Sequence, residues 1–133
     1  MNMNKEKNYL DVRNWRLTGK DAKRRRKKWM RQRIHRGFAD RDWWDLDTFY
    51  LNLFVSSLRH YAKNTIGYSP SLAPTYEEYQ GRILRLAYMF EKMANWEVDN
   101  ADRRDFEQEF KEKEELTKKA FAELAEVFRS LWD

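Results

Sequence analysis

From Asp45 to Lys63 the polar residues Asp45, Thr48, Asn52, Ser56, Arg59 and Lys63 recur every three or four positions, and larger apolar residues fill most of the gaps. That is the period of an α-helix with one stripe facing water. Its apolar side, made by Leu46, Tyr50, Leu53, Phe54, Ser57, Leu58 and Tyr61 and widened by Trp43, Trp44, Leu51 and Val55, predicts a central helix packed on two sides. Asp42 stands where an N-cap would, with Asp45 at the third helical position, near the positive end of the helix dipole.

A central helix of this kind needs partners, and the chain supplies two. Thr75 and Glu78 have the spacing of a capping box, and the stripe Tyr79, Ile83, Leu86, Phe90 and Met93 follows. After a lapse at Val98 to Asp102, a third helix is expected from about Arg104 to Trp132, marked by Phe110, Leu116, Phe121, Leu124, Phe128 and Leu131. It would be about 40 Å long. The pairs Glu107/Lys111, Glu109/Lys113, Glu114/Lys118 and Glu115/Lys119 would each add about 0.3 kcal/mol on its exposed face. With 4 Gly and 2 Pro, the chain has too few turn residues for a sandwich or barrel of short strands. The expected fold class is therefore all-α, a bundle of three main helices over residues 41–133. A basic N-terminal arm, partly helical, precedes it over residues 1–40. The one clear loop, Asn64 to Pro74, holds Gly67 and both prolines.

An aromatic share of 16% argues against disorder, and 133 residues allow one core. The absence of Cys excludes disulfides, thiol nucleophiles and Cys-containing zinc sites, and fits a reducing cytoplasm. The opening MNMNKEKNYLDV lacks the apolar stretch of a signal peptide, and no apolar run is long enough to span a bilayer, so no membrane association is expected.

Charge divides the chain sharply. Residues 1–40 carry 14 Lys/Arg against 4 Asp/Glu, whereas residues 41–133 carry 13 against 18, so +10 is followed by −5. Nine of the basic residues lie within the fourteen from Lys23 to Arg36, with Trp29 among them and Trp15 and Phe38 flanking. Asp21 to Arg36 reads as a helix with a narrow seam of Met30 and Ile34 and with Trp29 beside it. A short extended piece is expected at Tyr9 to Val12. Arginine forks match phosphate oxygens and an indole face can stack on a base. Arg25, Arg26, Lys28, Arg31, Arg33 and Arg36 are accordingly the candidate phosphate ligands, and Trp29 the candidate stacking residue.

Other constellations favour structural readings. Asp40, Asp42, Asp45 and Asp47 lack the glycine-containing spacing of a calcium loop, and capping with salt bridges to Arg36 and Arg41 explains them better. His35 and His60 have no ligand or triad spacing, and no glycine-rich phosphate loop is present. The order of charges in Asp105 to Lys111 suits a nuclease only on strands, and here it falls on a helix. Trp43, Trp44, Trp96 and Trp132 read as core or subunit packing. No catalytic residue, metal or cofactor is expected.

Several stretches together set a resemblance: Arg36-Gly37-Phe38 followed by Asp40, Asp42, Trp44, Leu46 and Asp47; Tyr68 and Pro70; Glu78-Tyr79 followed by Ile83, Leu86 and Phe90-Glu91; and Phe128 with Leu131-Trp132-Asp133. In order and spacing, over about residues 24 to 133, the chain resembles an uncharacterised family of small phage-encoded proteins. It departs in carrying Tyr79 where such proteins often have Trp. The resemblance implies a phage accessory protein acting in the cytoplasm of an infected bacterium. With the basic arm, it gives the leading expectation: a non-enzymatic, homo-oligomeric binding protein that counters host defence by sequestering a phosphate-bearing nucleotide signal. The alternatives are a DNA- or RNA-binding accessory of phage replication or packaging, and an inhibitor that blocks a host defence protein directly.

Overall fold

The structure is a computed structural model that describes residues 19–132; the extended piece expected at Tyr9 to Val12 lies outside them. Among the described residues there are six helices and no strand: α1 (Ala22–Arg36), α2 (Asp40–Trp44), α3 (Leu46–Asn64), α4 (Tyr76–Ala94), α5 (Trp96–Asp99) and α6 (Phe106–Val127), the last continuing into a 3-10 turn at Phe128–Ser130. The fold is all-α, with α3, α4 and α6 as its main helices. The packing forms two compact units, Met1–Leu53 and Phe54–Asp133.

In the first unit α1 packs on α2. The inward stripe of α1 is Ala22, Arg26, Trp29 and Arg33, at four-, three- and four-residue steps, and Trp29 is 6% exposed. The seam expected at Met30 and Ile34 faces solvent instead. One residue of offset turns a helix by about 100°, and here the indole, which carries more apolar area, takes the interior. Trp29 meets Trp44 edge-on with ring centroids 6.3 Å apart. Gly37, at φ 88°, ends α1 in the left-handed conformation, where its N–H reaches the Arg33 carbonyl at 2.9 Å. The next helix starts earlier than expected. Ala39 is its N-cap, and Asp42, at the third helical position, accepts the Ala39 N–H at 2.7 Å. Asp45 lies at the break between α2 and α3.

In the second unit α4 packs against α6 and is buried along Tyr79, Ile83, Leu86, Ala87 and Phe90. Thr75 caps it, its hydroxyl accepting the Glu78 N–H at 3.1 Å. Phe90 anchors an aromatic cluster with Phe54 (5.0 Å) and Phe121 (5.5 Å). The part of α3 in this unit buries Val55, Leu58 and Ala62, with Phe54 and Tyr61 half-buried beside them. α6 buries Ala120 and Val127, while Phe110, Phe121 and Phe128 are partly or largely exposed. Its expected Glu109/Lys113 pair is replaced: Glu109 accepts the Trp96 indole N–H at 3.1 Å and Lys113 meets Glu97 at 2.6 Å.

Tyr79 is wholly buried, and its hydroxyl is shared between the Tyr61 hydroxyl at 2.9 Å and the Ser130 Oγ at 2.8 Å. Burial pushes its phenol up to about 12; the Tyr61 hydroxyl adds to the rise and the Ser130 bond opposes it. A phenol that ionises near 10 when unfolded and later when folded stabilises the fold fully below pH 10. That contribution is lost as pH rises through the folded value. Stability should therefore fall by on the order of 2 kcal/mol between pH 10 and 12. Urea unfolding of the wild type and Tyr79→Phe across that window checks it: the phenylalanine variant should lack this component of the loss.

Candidate anion-binding helix

α1 is a helix with two working faces, and each takes a different share of its cations. On the inward side, Arg33 donates from Nε and Nη2 to the two oxygens of Asp42 at 2.8 and 2.7 Å. The pair is well shielded, with side chains 15% and 4% exposed. This forked geometry fixes Arg33 against the start of α2. Arg36 is held by Asp40 at 2.7 Å and by the Phe38 carbonyl at 2.8 Å. Gln32 and Asp40 exchange two hydrogen bonds of 2.9 Å. The Asp40 carboxyl is held down to about 2, chiefly by Gln32 and then by Arg36. Of the expected ligands, Arg33 and Arg36 thus face carboxylates of their own chain, and Trp29 is buried with its ring edge-on to Trp44.

The outward side is different. At 100° per residue, Arg24, Lys27 and Arg31 form a row opposite Trp29, with Lys23 and Lys28 on its flanks, and all five are exposed. Arg25 is exposed nearer the packed side, and Arg26 is half-buried, its Nε without a hydrogen-bond partner among the described residues. Lys28 lies 3.8 Å from Asp40 with a largely exposed side chain, a pairing that water and salt weaken. From Arg24 to Arg31 the row covers about 10 Å of helix axis.

No acid lies in the first turn of α1, and Asp21, at the N-cap, makes no side-chain capping bond. Six consecutive cations, Lys23 to Lys28, therefore crowd the positive end of the helix dipole. An external anion would relieve that repulsion. The acidic cluster nearby is spent internally, Asp40 on Gln32 and Arg36 and Asp42 on Arg33. A hydrogen bond with Asp47 raises the Asp45 carboxyl.

Sequence reasoning identified the basic run but not which cations stay outside. The i, i+4, i+7, i+11 spacing of Ala22, Arg26, Trp29 and Arg33 carries that signal only if the arginine stems are counted as packing surface. No protein-family model, curated protein or solved structure matches the chain.

Proposed function

We propose that this chain is a non-enzymatic binder of nucleic-acid backbone, in which α1 lays its outward row of cations along the phosphates of DNA or RNA. One observation carries the reading: the two faces of α1 are separated, Trp29 and Arg33 anchoring the helix while Arg24, Lys27, Lys28 and Arg31 stay exposed. Duplex DNA carries one phosphate per about 1.7 Å of axis over its two strands, so a row of exposed cations about 10 Å long runs past about six phosphates. The alternative of a compact nucleotide on α1 requires convergent cations and a stacking face. Here the cations are strung along the helix and the indole is buried. With the resemblance to phage proteins, the setting is an accessory of phage replication or packaging in the infected cell.

The test is fluorescence anisotropy with labelled 20-base-pair duplexes of two unrelated sequences at low salt. The wild type should bind both alike, and the variant Arg24→Gln, Lys27→Gln, Lys28→Gln, Arg31→Gln should bind at least tenfold more weakly with unchanged circular dichroism. Equal binding by the two proteins, or none by the wild type, would overturn the proposal.

A further inference from the structure

The second unit carries 12 Lys/Arg against 15 Asp/Glu, a net −3 over residues 54–133. One place on it reverses that sign. Between α4 and α6 runs a groove of about 630 Å³ lined by Arg82, Arg85, Lys92, Lys119, Glu123 and Glu126 together with Tyr88, Met89, Leu116 and Ala122. Both carboxylates are already engaged: Arg82 bonds Glu123 and Glu126, and also the Leu72 carbonyl at 2.9 Å. Arg85, Lys92 and Lys119 make no ion pair among the described residues. Lys92 lies 5.8 Å from the centre of the exposed Tyr88 ring. The groove therefore combines four cations and two carboxylates, a net +2, with an apolar floor.

A glycine in the middle of α4 adds to this. Gly81 costs the helix about 1 kcal/mol relative to Ala. Its bare Cα gives the Arg85 guanidinium room, since a Cβ there would stand 3.3 Å from Arg85 Nη1. Arg82 to Lys92 spans ten residues of α4, about 15 Å of groove. A volume of this size is that of small-molecule sites, which join an apolar surface to a few placed polar groups.

We propose that the α4/α6 groove binds a small amphiphilic anion, a carboxylate or phosphate on an apolar chain or ring. The anionic group sits by Arg85 and Lys119, and the apolar body lies on Met89, Leu116 and the Tyr88 ring. Charge complementarity selects this occupant: in a unit of net negative charge, this groove brings four cations together with two carboxylates. The site is independent of α1 and of the function proposed for it.

Isothermal titration with decyl phosphate, decanoate and decanol, each below its micelle concentration, tests the assignment on the full chain. At least one anion should bind at least tenfold more tightly than decanol; a preference between the two anions would report whether the group is phosphate or carboxylate. Arg85→Gln with Lys119→Gln, both exposed positions, should lower that affinity at least tenfold, whereas the α1 variant above should bind as the wild type does. Decanol binding as tightly as both anions, indifference to the Arg85/Lys119 change, loss of binding in the α1 variant, or no binding at all would each overturn the proposal.

Discussion

Asp42→Ala is expected to melt α1 from the rest of the first unit. An exposed ion pair contributes about 0 to 1 kcal/mol, whereas removing one partner of a shielded, doubly hydrogen-bonded pair costs about 3 to 5 kcal/mol, because the other charge stays buried without compensation. Asp42 belongs to the second class, with its side chain 4% exposed and both oxygens on Arg33. The substitution also strands the Ala39 N–H, whose residue is wholly buried and which Asp42 accepts at 2.7 Å. The other contacts of α1 include the Trp29–Trp44 edge contact, the Gln32–Asp40 exchange and the more exposed Arg36–Asp40 pair. Hydrogen exchange should show the amides of Ala22–Arg36 losing protection while those of Tyr76–Ala94 keep it. Asp40→Ala, which removes the Arg36 ion pair and one of the two Gln32 bonds but leaves the shielded Arg33–Asp42 pair, should lower the protection of α1 by less than Asp42→Ala does. If Asp42→Ala protected α1 as well as Asp40→Ala does, the anchoring role of the Arg33–Asp42 pair would be wrong.

How much of this was legible depends on what held each helix. α4 was readable because its apolar residues carry its packing: Tyr79, Ile83, Leu86 and Phe90 are all buried, and Thr75 caps as its spacing said. α1 was readable as a helix but not in its orientation. Its inward stripe contains two arginines, and a pattern that counts Arg as polar turns that face outward. What brings it inside is Asp42, nine residues beyond Arg33 and outside the helix. α3 shows the opposite error. Leu53 lies mid-stripe in the sequence yet is 39% exposed, while the helix buries Leu51, Val55, Leu58 and Ala62 and half-buries Phe54 and Tyr61. In α6 the wholly buried positions are Ala120 and Val127, not the large Phe residues that mark its stripe. Small side chains let helix axes approach, and hydropathy alone does not rank them above Phe. The α4/α6 groove had no signal in a linear reading, since Arg85 and Lys119 come together only through packing.

The second large effect is on binding. Each phosphate that a cation neutralises releases condensed counterions, which makes log K fall with log salt at about 0.9 per contact on duplex DNA. Lys23, Arg24, Arg25, Lys27, Lys28 and Arg31 are the exposed cations of α1 other than Arg36, which Asp40 holds. If all six engage, the slope is roughly −5, and affinity drops about a thousandfold between 50 and 200 mM salt. Removing four of them, Arg24, Lys27, Lys28 and Arg31, should flatten the slope to about −2 while changing affinity alike on every sequence. A pocket for a compact nucleotide would show the reverse, a shallow slope and dependence on one or two arginines. The decisive measurement is the salt dependence of duplex binding by the full chain from 50 to 200 mM monovalent salt. The account predicts a linear log–log plot near −5 that flattens in the four-residue variant; a slope between 0 and −1, or one the variant leaves unchanged, would contradict it.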